Sequence, residues 1–338
     1  MRNRKSAWDG NLLKYTCASF FAGVGGIDLA FEMAGAKVIY ANEMDARAIQ
    51  TYALNFPIIV DGRDINEVND NEIPNANIII GGFPCQAFSI AGKRQGFNDE
   101  KGRGTLFFRL MKIIEKKQPA AIFLENVKNL VTHNHGESFK VICQSLKDAG
   151  YFVTYKVMNT MLYGNIPQNR ERVYICAFRD KNAYDVFFFP KERKLTTKLS
   201  DVIDFKSEMP DKSLYYTNDS FGHYEALEKS ITSMNRVYQW RRQYVRENKS
   251  GVCPTLTANM GTGGHNVPLV LTAHGIRKLT PRECFNLQGF PLSYKLPTNM
   301  ANCHLYKQAG NSVSVSVIYR IAKEMLTALE ESQKIAKR

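Results

Sequence analysis

The sequence predicts an α/β protein built on a doubly wound sheet, with a second, smaller domain inserted before the chain's end. Three features point there. Tyr15 to Ala22 reads as a strand that runs into Gly23-Val24-Gly25-Gly26 and then into helical spacing at Ile27, Ala30, Phe31 and Ala34, stopping at Gly35. Short apolar runs then alternate with amphipathic helical patterns as far as Phe178, the rhythm of a parallel sheet. From about Pro190 to His274 that rhythm stops, and Pro and Gly become frequent.

The first unit, strand then glycine loop then helix, is the layout of a Rossmann-like nucleotide crevice, in which glycines let a ligand approach the backbone. A second strand, Lys37 to Ala41, follows, and then Glu43, twenty residues beyond Gly23 and placed like the carboxylate that holds ribose hydroxyls. Asp28 occupies the place of the third glycine of a dinucleotide fingerprint. The loop therefore favours an adenosine-containing ligand other than NAD.

Ile78-Ile79-Ile80 reads as a buried strand, and it delivers Gly81-Gly82-Phe83-Pro84-Cys85-Gln86-Ala87-Phe88-Ser89 to the edge where α/β sheets do their chemistry. Two glycines permit a sharp turn and Pro84 fixes φ just before the thiol, so Cys85 is a candidate nucleophile as well as a candidate buried structural cysteine. A polar, glycine-rich stretch to Gly104 reads as a surface loop. Thr105 starts an amphipathic helix, and Ala121 to Leu124 is a strand that carries Glu125-Asn126 to the same edge as Cys85. A helix from Glu137 to Ala149, a strand from Tyr151 to Val157, the turn Gly164 to Gln168 and a strand from Val173 to Phe178 complete the predicted sheet.

In the second region, Arg236 to Arg246 interleaves arginines with Tyr238, Trp240 and Tyr244. This pattern suits phosphate contact and base stacking, yet Val237, Trp240 and Tyr244 also fit one apolar helix face. Thr257 to Gly264 reads as a small-residue loop fit for close approach to a ligand. Thr280-Pro281-Arg282-Glu283 is a capping box that starts a helix closing at Gly289, and a last helix is predicted from about Ser312.

Across 338 residues, 45 Lys+Arg against 32 Asp+Glu leave a formal charge of +13, which favours a polyanionic partner, nucleic acid first. Seven cysteines form no CxxC pair and have no histidine at ligand spacing, which argues against a disulfide frame or a zinc site. Met1 to Lys14 lacks an apolar leader core and no window is long enough to span a bilayer. The expectation is a soluble, cytoplasmic, nucleoid-associated protein that works as a monomer without metal.

In order, FAGVGG (21–26), GGFPCQAFS (81–89), ENVKN (125–129), QNRERVY (168–174), RKLTPRECFNLQGFP (277–291) and QAGNSVS (308–314) resemble the DNA (cytosine-5)-methyltransferases of bacterial restriction–modification systems. The similarity covers the chain apart from the first dozen residues and the stretch from about Pro190 to Val252. Among these pieces PCQ and ENV are the specific ones. Ser19 stands where the family often has Asp, and Met44 where it often has an aromatic residue.

The resemblance implies an S-adenosylmethionine-dependent methyltransferase sheet, 1–189 with 305–338, and a target-recognition domain, 190–304. It implies that Cys85 adds to cytosine C6, that Glu125 donates a proton at N3, and that Arg170 and Arg172 lie near the base carbonyl and the nucleophile. For Arg172 an ion pair with Glu43, Glu125 or Glu171 is the structural alternative. The cofactor would lie on Phe21, Gly23, Val24 and Gly26, with Glu43 at the ribose, Met44, Asp64 and Ile65 at the adenine, Pro84 and Leu106 beside it, and Asn311, Ser312 and Val313 closing the pocket. S-adenosylhomocysteine would be the product. Double-stranded DNA would meet Gln86, then Ser89, Lys93, Arg94 and Arg103 on a lid loop from Ser89 to Gly104, and Arg236, Arg241, Arg242, Arg246, Thr257 and Asn259 in the recognition domain. A tRNA-acting member of the same family, or a DNA-binding module without catalysis, are the rival readings.

Overall fold

The computed structural model describes residues 15–84, 105–241, 243–261 and 267–336. Its main sheet has six strands: β1 Tyr15–Phe20, β2 Ala36–Asn42, β3 Ile78–Gly81, β4 Ala121–Val127, β5 Phe152–Asn159 and β6 Glu171–Phe178, in spatial order β2-β1-β3-β4-β6-β5. Neighbours from β2 to β4 pair in parallel, whereas β6 runs antiparallel to both β4 and β5. The expected all-parallel sheet is thus corrected to a parallel-rich mixed one. Apolar periodicity reports burial of a strand and carries no information about its direction.

Along β3, Ile78 and Ile80 face one core while Ile79 faces the other, and Phe123 is likewise opposed to Ile122 and Leu124 in β4. Both faces of the sheet are therefore covered, as the unbroken apolar runs require. Helices α1 Gly26–Ala34 and α2 Ala46–Ala53 follow β1 and β2, and α3 Thr105–Lys117 and α4 Glu137–Asp148 cover the opposite face. Gly35 ends α1 at φ +104°, a left-handed cap that a side chain would strain.

A four-stranded antiparallel sheet forms the second unit: β7 Tyr238–Trp240, β8 Val245–Glu247, β9 Leu269–Thr272 and β10 Gly275–Lys278, in order β10-β9-β7-β8. It has its own small core, including Tyr216, Leu227, Tyr238, Leu269 and Ile276. The basic aromatic stretch is accordingly a hairpin rather than a helix. Val237 and Trp240 are buried as an apolar face requires, but Tyr244 is exposed near the turn.

The capping box starts α5, Pro281–Leu287, with Thr280 and Glu283 bonding reciprocally. A helix the sequence reading did not anticipate, α6 Asn302–Asn311, precedes the final helix α7, Val315–Ile335, which begins three residues later than expected. Ile318, Ile321, Ala322, Met325 and Leu329 of α7 are buried at helical spacing, and this face packs on α1. The chain's end thereby returns to the glycine-loop unit. Among the described residues no helix is long and apolar enough to cross a membrane.

Candidate active site

The spatial neighbours β1 and β3 are joined through β2 at the edge, so the crevice opens where the strand order reverses, at the carboxyl ends of β1, β3 and β4. A cavity of about 580 Å³ lies there. Every residue assigned above to the cofactor, from Phe21 to Val313, lines it, together with Glu125, Arg170 and Arg172.

At one end stands the glycine loop. Phe21 leaves β1 at φ +55°, a left-handed conformation that costs energy for a bulky residue and turns the chain into the loop. The Glu43 carboxylate accepts from the Gly23 amide at 2.8 Å and from the Asp45 amide at 2.8 Å, so it is fixed in place beneath the loop by main chain alone. At Gly26 a Cβ would stand 2.8 Å from Val313 and 2.9 Å from the Ser312 hydroxyl, so only glycine lets the 312–313 segment close the cavity wall. Ser312 Oγ is buried with no hydrogen-bond partner among the described residues. Met44 is 66% exposed at the rim, whereas Ile65 is buried. Asp64 accepts from the Asn66 amide at 2.9 Å.

Asp28, which displaces the third glycine, is fully buried and accepts from Ser19 Oγ at 2.9 Å and Tyr52 Oη at 2.8 Å. Burial pushes its carboxyl up to about 6 despite those bonds. The Ser19 departure from the family pattern thus has a partner in Asp28.

At the other end β3 runs into Gly81-Gly82-Phe83-Pro84. A Cβ on Gly81 would lie 2.7 Å from the Phe20 carbonyl, and one on Gly82 3.6 Å from Glu125 Oε2, so the chain leading to residue 85 passes directly over the Glu125 carboxyl. Asn126 Nδ2 donates to the Phe83 carbonyl at 2.8 Å and holds that turn. Cys85, Gln86, Ser89, Lys93, Arg94, Arg103 and Arg242 lie outside the described residues.

Glu125 is 7% exposed, and burial raises its pKa although Arg172 and Arg170 oppose the rise. Arg172 Nε stands 3.2 Å from Glu125 Oε1, yet that oxygen accepts no hydrogen bond among the described residues. Of the three carboxylates weighed for Arg172, Glu125 is the one it pairs with, while Glu171 pairs with Lys128 at 2.9 Å. Arg170, 2% exposed, donates through its terminal nitrogens to the Leu256, Gly310 and Ser312 carbonyls. Burial, then Arg172, pulls its guanidinium down to about 9.

The residues assigned to DNA in the second sheet lie outside the cavity lining. Arg236 pairs with Glu247 at 3.1 Å, Arg241 donates to Gln239 at 3.1 Å, and Arg246 is exposed. Thr257 and Asn259 are exposed and bonded to each other on the stretch that leads back to the cavity.

Sequence reasoning missed several residues here. Asn126 was seen only as a neighbour of Glu125. Buried Gln168 donates to the Leu287 carbonyl at 2.6 Å and accepts from the Leu256 amide at 3.2 Å, and Tyr294 donates to the Val24 carbonyl inside the glycine loop. Their partners are 43 to 270 positions away, so the motifs that contain Asn126 and Gln168 do not show what either touches, and Tyr294 lies outside every motif.

The family model for "C-5 cytosine-specific DNA methylase" matches residues 15–327. The chain is 53% identical over 315 residues to the type II methyltransferase M.Bsp6I of Bacillus sp. (strain RFL6), covering 92% of this chain and 98% of that one. It is 38% identical over 319 residues to the type II methyltransferase M.HhaI of Haemophilus parahaemolyticus, covering 91% and 93%. In fold it is similar to a mutant DNMT2 of Spodoptera frugiperda, with TM-score 0.70 and 19% identity over 93% of this chain and 100% of that one. It is also similar to a putative prophage DNA modification methyltransferase of E. coli, with TM-score 0.68 and 22% identity over 94% and 100%.

Proposed function

The chain belongs to the C-5 cytosine-specific DNA methylase family and is a cytosine-5 DNA methyltransferase of restriction–modification type; on that premise we propose that it methylates C5 of a cytosine flipped out of a specific duplex sequence, by covalent addition of Cys85 at C6. The observation that carries this reading is the single cavity lined at one end by the glycine loop and Glu43, and at the other by Glu125, Arg172 and Pro84, the residue before Cys85.

S-adenosylmethionine fits the groups present. The cavity volume is that of an ordinary cofactor pocket. Glu43 is an oriented acceptor for a ribose diol, Phe21 and Ile65 offer apolar surface to a purine, and the unpartnered Ser312 hydroxyl is free to bond a ligand group. When bound, this cofactor supplies an electrophilic methyl group on a sulfonium.

The remaining chemistry belongs to the protein's own residues. Cytosine C5 is a poor nucleophile until the ring is made an enamine, which requires a bond from the Cys85 sulfur to C6. Electrons then move toward N3, and Glu125 holds the proton that meets them. Burial raises its pKa, which favours the protonated form that this step needs. Arg172, beside Glu125, places positive charge near the carbonyl oxygen O2. After methylation, loss of the C5 proton and departure of the Cys85 sulfur restore the aromatic ring.

A base stacked in duplex DNA cannot present C6 to a thiol, and extrusion costs about a few kcal/mol. The loop 89–104 is assigned as the lid, and 190–304 as the target-recognition domain beside a catalytic domain of 1–189 and 305–338. The surplus of 13 positive charges supports a polyanionic substrate. Transfer of labelled methyl groups to duplex DNA, with 5-methylcytosine identified in the hydrolysate, tests the reading. Cys85→Ser is expected to retain cofactor binding and lose transfer; a fully active Cys85→Ser enzyme contradicts it.

A further inference from the structure

The segment entering β6 is where three distant stretches of chain meet. The Cys253 amide donates to the Pro167 carbonyl at 2.7 Å and the Asn169 amide to the Cys253 carbonyl at 2.8 Å, so 253 runs alongside 167–169. Thr255 Oγ1 donates to the Asn169 carbonyl at 2.6 Å and the Leu256 amide to Gln168 Oε1. Arg170 then completes the junction. One terminal nitrogen reaches the Leu256 carbonyl at 2.9 Å, and the other reaches the Gly310 carbonyl at 3.3 Å and the Ser312 carbonyl. Gly310 itself lies so close to the Thr257 main chain that no Cβ would fit between them.

One guanidinium therefore joins buried Leu256, which leads directly into the 257–259 stretch, to the 310–312 wall of the cavity. Its terminal nitrogens are committed to main-chain carbonyls, which leaves Arg172 as the guanidinium beside the Glu125 carboxyl. We propose that Arg170 is a positioning residue that couples the DNA-facing stretch 256–259 to the cofactor wall 310–312. The proposal rests on the functional reading above, in which Thr257 and Asn259 face DNA and 311–313 close on the cofactor. A ligand that orders one stretch lowers the cost of ordering the other when both hang from one rigid group. Such coupling acts equally in both directions.

Hydrogen exchange of the intact protein tests this, with S-adenosylhomocysteine as the probe and no DNA present. In the unchanged protein the probe is expected to slow exchange at 309–313 and also at 255–260, the latter by about fivefold or more. In Arg170→Lys, which keeps the charge but loses the fork, protection at 309–313 is expected to persist while protection at 255–260 is lost. Gly310→Ala, which wedges a methyl between the two stretches and leaves Arg170 in place, is expected to give the same loss and guards against a misfolded arginine variant.

Protection at 309–313 without any at 255–260 in the unchanged protein overturns the coupling alone. Remote protection that survives both substitutions assigns it to a residue other than Arg170. Absence of protection at both stretches removes the cofactor assignment, and the coupling with it.

Discussion

Two carboxylate–guanidinium pairs with buried carboxyl groups, one in the crevice and one in the second region, have the same chemistry and different degrees of carboxylate satisfaction. Arg277 and Glu283 meet through two parallel hydrogen bonds of 2.8 Å, and Glu283 also accepts from the Thr280 amide at 2.7 Å and the Asp204 amide at 2.8 Å. Arg172 and Glu125 share a single 3.2 Å contact, and Glu125 Oε1 takes no hydrogen bond among the described residues. A buried pair whose carboxylate is fully bonded acts as a staple, here fastening β10 to the start of α5, although Arg277 Nε finds no partner among the described residues. A buried carboxyl left incomplete at a cavity wall is costly unless a proton or a ligand completes it, which is the condition a general acid needs.

Breaking the incomplete pair should affect rate far more than stability. Glu125→Gln keeps the shape but cannot deliver a proton, and a fall in kcat of about 100- to 10,000-fold with cofactor affinity nearly unchanged is expected in single-turnover assays. A variant that unfolds but, where folded, methylates at full rate would make Glu125 another staple. The complete pair should behave the other way. Arg277→Met leaves Glu283 charged and buried, and a loss of about 3–5 kcal/mol is expected in denaturant unfolding. Replacing both partners together with apolar residues should recover most of that loss, since the penalty comes from the orphaned charge.

Glu43 sharpens the contrast at the other end of the cavity, because it is held by amides without any guanidinium. Removing it in Glu43→Ala should weaken cofactor binding by about 1.5–3 kcal/mol, roughly ten- to hundredfold in Kd by calorimetry, with less effect on kcat at saturation. Asp28 is the intermediate case, buried and hydrogen-bonded to Ser19 and Tyr52. Its carboxyl rises from the ordinary 3.8 to about 6, so the folded state binds its proton more tightly than the unfolded chain. The stability this confers is full below about pH 4 and declines as pH rises through 6. In Asp28→Asn the fall of Tm between pH 4 and 6 should flatten, and what remains should shift upward toward Glu32, whose carboxyl burial raises to about 7.

Such distinctions were only partly legible in the sequence. The glycine loop, the strands ending at Glu125 and before Cys85, and the Thr280 capping box are local signals, carried by residue type and short spacing, and they led to the right elements. The direction of β6 was not legible, because an apolar strand has the same period whichever way it runs. Nor was the 238–247 hairpin, whose Val237, Trp240 and Tyr244 spacing imitates a helix when read without its partner strand β9. Helix α6 is half polar and offers weak periodicity, and its reason for folding lies in Gln308, Tyr306 and Ala309 meeting residues far away in the chain. The same holds for Arg170. Its motif marked it as important, but its carbonyl partners 86 to 142 positions away show what it touches.

The most direct test of the central claim is to trap the bond itself. The protein is incubated with S-adenosylmethionine and a methylatable duplex carrying 5-fluorocytosine at the target, and the cross-linked peptide is sequenced by mass spectrometry. Fluorine at C5 blocks the final proton loss, so a stable adduct through the sulfur of Cys85 is expected. A duplex that the enzyme methylates when unfluorinated, yet that yields no adduct or one at another cysteine such as the exposed Cys303, would contradict it.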